Sequence, residues 1–197
     1  MRHPYYGIHE IFGIQRKAGK TTLMTAFAID KMMDLDIYTL KPLGHPGYWY
    51  KPEDVIVNYP IFIPGIKALN NEQWFNKVAE IKRLGLKHKL ILGDELNSIL
   101  LARNTKDMNQ AQFAVYVWQM CKDDTNFFWT NNQLTGVDVI IRDGTWETIM
   151  PTFDEKNNKI HYAVIHNYGN PNIPPNRECF NDPFRVQELF DSYASVK

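Results

Sequence analysis

The chain has 197 residues, and its 22 Lys and Arg balance 22 Asp and Glu, for a formal net charge of zero. That length suits one α/β domain with a substantial core. The charge balance excludes a molecule-wide basic field that would recruit nucleic acid to an isolated chain, leaving a local basic patch or a ring of copies as the routes to it. Cys121 and Cys179 have no His or Cys at metal-ligand spacing and read as free thiols of a reducing compartment. No apolar run reaches membrane-spanning length and no signal-peptide core opens the chain, so a soluble, non-secreted protein is expected.

Ile8 to Phe12 reads as a short buried strand, and Lys20 to Met33 as a helix with apolar positions at helical spacing. Between them, Gln15-Arg16-Lys17-Ala18-Gly19-Lys20-Thr21-Thr22 ends in the Gly-Lys-Thr of a phosphate-binding loop. In such a loop backbone N–H groups and a helix N-terminus face the phosphates. The lysine (Lys20) reaches the β- and γ-phosphates, and the next hydroxyl (Thr21) holds Mg²⁺. The usual motif wants a glycine at position 14, where this chain has Ile14, with Gly13 one residue early. Gly13 is therefore the candidate for the tight turn, and Arg16 or Lys17 for extra side-chain contacts to phosphate. Taken alone, a Gly-Lys-Thr can merely open a helix.

Asp36 to Leu40 is a strand candidate. Lys41 to Pro52, dense in Pro, Gly and aromatics, cannot be a regular element. Its Tyr48, Trp49 and Tyr50 either form a stacking surface or, the preferred reading, fold back on the core. Val55 to Val57, extending to Tyr59, is a β-branched strand. Asn70 or Asn71 caps a helix to about Leu84, closed by Gly85. Strand–helix alternation to this point argues for a parallel sheet with crossover helices.

Leu90-Ile91-Leu92-Gly93-Asp94-Glu95 gives the loop its support. An apolar strand ending in Asp-Glu puts both carboxylates at the carboxyl edge of a parallel sheet, where α/β folds bind ligands. Asp94 suits Mg²⁺ and Glu95 the activation of an attacking water. That Glu disfavours a small-molecule kinase, and the Asn-Lys-x-Asp guanine reader of GTPases is absent from the sequence, so ATP is the expected nucleotide.

A helix over 107–122 is followed by Asn126 to Gln133, a buried strand with a polar end. If its neighbour carries Asp94, an amide there can hold the attacking water. Asn131 leads, then Asn132 and Gln133, although an Asn-rich strand end is also ordinary turn chemistry. Thr145 to Phe153 and Ile160 to Tyr168 form an antiparallel hairpin across a polar turn. Residues 170–181 read as irregular. Asp182-Pro183 starts a terminal helix carrying Val186, Leu189, Phe190 and Tyr193, expected to dock on the core. His161 and His166, lacking an acidic partner at useful spacing, read as structural.

Gly-Lys-Thr-Thr, Leu-Gly-Asp-Glu, Thr-Asn-Asn-Gln and the following Val137-Asp138-Val139-Ile140-Ile141-Arg142 together resemble the FtsK–HerA superfamily of DNA-translocating ATPases. Within it the chain looks most like the genome-packaging ATPases of icosahedral viruses with internal membranes, those of archaeal turreted icosahedral viruses in particular. The resemblance covers residues 7–145, and the usual Gln of the sensor strand is Asn131 here. It implies a single three-layer RecA-like P-loop domain over 1–197, of the additional-strand, catalytic-Glu type, with the hairpin and helix after 145 as an extension. It also implies a pentameric or hexameric ring that drives double-stranded DNA through its pore, in the host cytoplasm or on the virion, with capsid or portal-vertex proteins as partners. Carried onto this chain, it assigns phosphate and Mg²⁺ to Lys20 and Thr21, Mg²⁺ to Asp94, water activation to Glu95 and sensing to Asn131. A basic residue acting in trans would be Arg103 first, then Lys106 and Arg142. The alternative inside the superfamily is an export ATPase of the Zot type, disfavoured by the lack of a membrane segment. Outside it stands a nucleotide-binding switch subunit with negligible hydrolysis, which the irregular loop favours.

Overall fold

The computed structural model describes residues 7–15, 17–33, 50–99, 116, 119–133, 139–167, 172, 174–181 and 183–190. One mixed sheet organises them. Its strands are β1 (Gly7–Phe12), β2 (Val55–Val57), β3 (Leu90–Gly93), β4 (Asn126–Asn131), β5 (Glu147–Asp154), β6 (Lys159–His166) and β7 (Asn176–Asn181). In space they run β2-β3-β4-β1-β5-β6-β7. β2, β3, β4, β1 and β5 are mutually parallel, and β6 and β7 continue the sheet antiparallel. β4 is thus inserted between the strand that feeds the loop and the strand that ends in Asp-Glu, as the additional-strand class requires.

Helices cover both faces. α1 (Lys20–Met33) packs Leu23, Met24, Ile29 and Met32 against Ile11, Leu92, Phe128 and Ile149. On the other face α2 (Asn71–Leu84) buries Trp74, Val78 and Ile81 against Ile91, Phe127 and Trp129, joined by Ile141 of α4 (Val139–Asp143). The short α3 (Leu96–Ile99) follows β3. Period-two alternation explains the division, since neighbours along each strand point to opposite cores.

α2 forms where local chemistry dictates. Asn70 accepts from Gln73 N–H at 2.9 Å while Gln73 accepts from Asn70 N–H, a complete capping box. Gly85 at φ 61° closes the helix in the left-handed conformation that glycine adopts without strain. The Trp74 indole N–H reaches Leu92 O at 3.0 Å, tying the helix to β3.

Several expectations need correction. The polar segment 176–181 is a strand, β7, paired with β6 from Lys159↔Asn181 to Val164↔Asn176. The terminal helix is one short turn, α5 (Phe184–Gln187), with Pro183 rather than an Asp side chain at its N-cap position. It stops because Phe190 forms a β-bridge to Ile61 and Leu189 O accepts Phe62 N–H, although Val186 and Phe190 dock on the core as expected. His161 and His166 do have acidic partners, across the hairpin rather than along the strand. His166 Nδ1 lies 3.0 Å from Glu147, and His161 lies 3.8 Å from Asp154. Burial alone would raise the Glu147 carboxyl, but His9 and His166 together hold it below the usual range. The end of the 107–122 segment is a 3₁₀ turn at Met120–Asp123, and residues 107–115 lie outside the described residues. So do 36–40, Tyr48 and Trp49. Tyr50 folds back as preferred: it is buried, stacks on His88 and accepts from the Asn126 amide at 2.9 Å.

Candidate active site

The carboxyl ends of β3, β4 and β1 lie side by side, and the loop after β1 opens on that edge. Gly13 N–H bonds Asn131 O at 3.1 Å, which stitches the start of the loop to the end of β4. The turn does not need a glycine at position 14. Lys17 (φ 62°) and Gly19 (φ 87°) take the left-handed conformations, while Ile14 does not and leaves 69% of its surface exposed. The left-handed conformations therefore sit late in the loop, after a bend at Ile14 and Gln15 that directly follows Gly13. Gly19 is doubly constrained, because a Cβ there would lie 2.6 Å from Ile160 Cδ1 of β6. The antiparallel extension is thus the floor under the loop.

Lys20 opens α1 and curls over the loop, its Nζ donating to Gly13 O at 3.0 Å and Gln15 O at 3.3 Å. Burial lowers its pKa, and the charges of Asp94 and Glu95 oppose that shift. Those two acids face the lysine from across β4. Thr21 Oγ1 lies 3.1 and 3.2 Å from the two Asp94 oxygens, and Thr130 Oγ1 lies 2.6 Å from Oδ1. As a residue Asp94 is only partly buried, yet its carboxylate is enclosed. Desolvation raises its pKa against the two hydroxyls that favour the charged form.

The Asp-Glu turn is fixed on both sides. Asn58, just beyond β2, accepts Asp94 N–H at 2.7 Å and donates to Asp94 O at 2.9 Å. Thr130 accepts Glu95 N–H at 2.8 Å. Glu95 is exposed at the edge with φ 49°. Behind α1, Thr25 donates to Thr21 O at 2.8 Å, so the contact at 2.9 Å is one in which Tyr59 donates to Thr25. Burial also pushes the Tyr59 ionisation well above its ordinary range.

Asn131 points elsewhere. Its amide donates to Glu10 Oε1 at 3.2 Å and to Gln133 O at 2.6 Å, and alternation places it on the face away from α1. Thr130 holds the position facing Asp94. Asn132, one residue beyond β4, has an Oδ1 that is buried with no hydrogen-bond partner among the described residues. Glu10, half-buried on β1, has a raised pKa from desolvation, opposed by bonds from Asn131 and Thr148 and by the charge of Arg142. Arg142 therefore acts on a carboxylate of its own chain in this structure. Gln15 and Lys17 are exposed on the loop, Ala18 and Thr22 are buried beneath it, and Gln133 is exposed with its N–H on Asn131 Oδ1. Arg16, Arg103 and Lys106 lie outside the described residues.

Sequence reasoning missed Asn58, Thr130 and Glu10. Only Thr130 carried a signal, as the residue whose strand alternation points it at Asp94 once β3 and β4 are known to be neighbours.

The donor set suits Mg²⁺. One carboxylate and one hydroxyl beside a helix N-terminus are hard oxygen ligands, and Mg²⁺ ordinarily completes such a site with water and phosphate oxygens. Among the described residues no group of three or more His, Cys, Asp or Glu could hold a metal by itself, which a site of that kind does not need.

No family model and no curated protein sequence matches the chain. Solved structures do. The N-terminal domain of zonular occludens toxin from Neisseria meningitidis is similar at a TM-score of 0.60 and 12% identity, over 95% of this chain and 100% of that one. The genome packaging NTPase B204 from Sulfolobus turreted icosahedral virus 2 is similar in its complex with ATP-gammaS, at a TM-score of 0.53 and 10% identity, over 91% and 98% of the two chains. Its sulfate complex gives 0.51 at 11% identity, over 90% and 96%. Among the described residues no helix is long and apolar enough to cross a membrane. At these identities the likeness is one of fold. The chain has the fold of a P-loop NTPase, resembling the type the sequence motifs suggest.

Proposed function

We propose that the chain binds ATP with Mg²⁺ and hydrolyses it to drive double-stranded DNA into a viral capsid. The observation that carries the hydrolytic part is the convergence of Thr21 and Thr130 on Asp94, with Glu95 beside it and Lys20 opposite. Lys20 exchanges the loop carbonyls for β- and γ-phosphate oxygens. Thr21 and Asp94 hold Mg²⁺, which when bound neutralises phosphate charge. Glu95 takes a proton from water as its oxygen bonds to the γ-phosphorus and the bridging P–O bond breaks. Asn132, whose buried Oδ1 has no partner among the described residues, is the candidate to contact that water or the γ-phosphate. Loop N–H groups from Gln15 to Thr22 surround the remaining phosphate oxygens, with Arg16 and Lys17 as side-chain helpers.

The packaging part rests on the family resemblance and on the shared fold. It brings a ring of copies, DNA in the pore, a capsid or portal-vertex partner, and a basic residue acting across subunits. For that residue Arg103 and Lys106 stand ahead of Arg142, whose charge already serves Glu10. A related export or assembly ATPase is the second reading, favoured by the likeness to the zonular occludens toxin domain. The third reading is a nucleotide-binding switch subunit with negligible hydrolysis, which ATP binding without turnover would favour. Phosphate release measured against protein concentration, with and without double-stranded DNA, tests the motor. A rate per chain that rises with concentration and with DNA is expected. Hydrolysis indifferent to both contradicts the ring motor. The zero net charge further predicts weak DNA binding by single chains and steeply salt-dependent binding by rings.

A further inference from the structure

The β2–β3 ladder ends at Val57↔Leu92 and the β3–β4 ladder at Gly93↔Trp129. Asp94 and Glu95 therefore lie beyond the last backbone pairing on either side, at the place where a water-activating carboxylate has to be held still. Glu95 also sits at φ 49°, a conformation that a non-glycine residue keeps only when its surroundings impose it. Side chains take over where the ladders stop. The Asn58 amide acts as one more rung of β2, accepting Asp94 N–H and donating to Asp94 O. Its Nδ2 also donates to Asn71 Oδ1 at 3.1 Å, on the first residue of α2.

We propose that Asn58 is a positioning residue for Glu95, which it fixes through the backbone of Asp94 and links to the first turn of α2. This rests on the hydrolytic reading of the site. Asn58 bonds the backbone of Asp94 and not its carboxylate, which Thr21 and Thr130 hold, so its effect falls more on catalytic geometry than on affinity. α2 gains a route to the site through one amide: displacement of its N-terminus removes the Asn71 acceptor and frees Asn58 to follow. A misplacement of the general base by about an ångström is enough to cost roughly a hundredfold in rate.

Steady-state hydrolysis and equilibrium ATP binding by Asn58→Ala, in the wild-type and Glu95→Gln backgrounds, test this. In the wild-type background kcat falls about 10- to 100-fold, while KM and the Kd for ATP stay within about threefold. In the Glu95→Gln background Asn58→Ala causes no further loss, because the group it positions is gone. Asn71→Ala gives a smaller fall in kcat with the same unchanged KM. Where Asn58→Ala does not fold, Asn58→Asp keeps the acceptor for Asp94 N–H, loses the donor to Asp94 O, and is read the same way. An unchanged kcat, a loss carried by KM, or an equal loss in both backgrounds overturns the role of Asn58 and leaves the hydrolytic reading standing. Absence of hydrolysis by the wild type overturns both.

Discussion

Thr130 donates to Asp94 Oδ1 at 2.6 Å, and the same hydroxyl oxygen accepts Glu95 N–H at 2.8 Å. A single side chain on β4 thereby sets the rotamer of the candidate metal ligand and the backbone of the candidate base. Its place follows from topology, since β4 lies between β3 and β1 and Thr130 faces α1.

Thr130→Val keeps the shape and removes the hydroxyl, leaving a carboxylate oxygen and an amide without that partner. Such a loss costs roughly 1–3 kcal/mol of stability, with a fall in hydrolysis of about 10- to 100-fold from the loosened base. Thr130→Ser retains most of both. Urea unfolding and phosphate release distinguish the two variants.

Asp94 holds a desolvated charge, so activity and stability oppose each other there. Its folded pKa is raised, so the stability linked to its protonation is fully present below the ordinary carboxylate range. That contribution is lost as pH rises through the raised value. Asp94→Asn, which has no such titration, gains stability relative to the wild type as pH rises towards neutral, while hydrolysis is abolished. Unfolding free energies of both proteins between acid and neutral pH check the sign.

Gly19→Ala puts a Cβ against Ile160 at φ 87°. The left-handed strain alone costs about 1–2 kcal/mol. The loop should shift enough to weaken ATP binding at least as strongly as it lowers stability. Calorimetric titration with a non-hydrolysable ATP analogue measures the binding side.

Asn131 and Asn132 should separate sharply. Asn132→Ala lowers hydrolysis about 10-fold or more with little change in stability, because its Oδ1 has no partner among the described residues. Asn131→Ala acts mainly on stability, because it strips a hydrogen bond from half-buried, desolvated Glu10. Paired rate and melting measurements on the two variants decide between them.

What the sequence made legible was local. The Asn70–Gln73 capping box and Gly85 bound α2, and the alternation around a polar turn announced the β5–β6 hairpin. The Leu90–Glu95 run and the Gly-Lys-Thr carry their chemistry in consecutive residues. β7 stayed hidden because Asn-Arg-Glu-Cys-Phe-Asn buries only Phe180 and gains its pairing from β6. Asn58, Glu10 and the Glu147–His166 pair stayed hidden for a related reason, since each depends on which strand lies alongside. The facing of Asn131 and Asn132 was not legible either, because an amide reads as polar chemistry wherever it falls, whereas facing is set by strand parity.

The most direct test of the hydrolytic site is ATP turnover by the wild type beside Glu95→Gln, each with its ATP affinity measured separately. Mg²⁺-dependent hydrolysis by the wild type is expected. Glu95→Gln should lose about a hundredfold or more of that rate with ATP affinity preserved. Equal turnover by the two proteins, or no turnover by either, would contradict the hydrolytic reading.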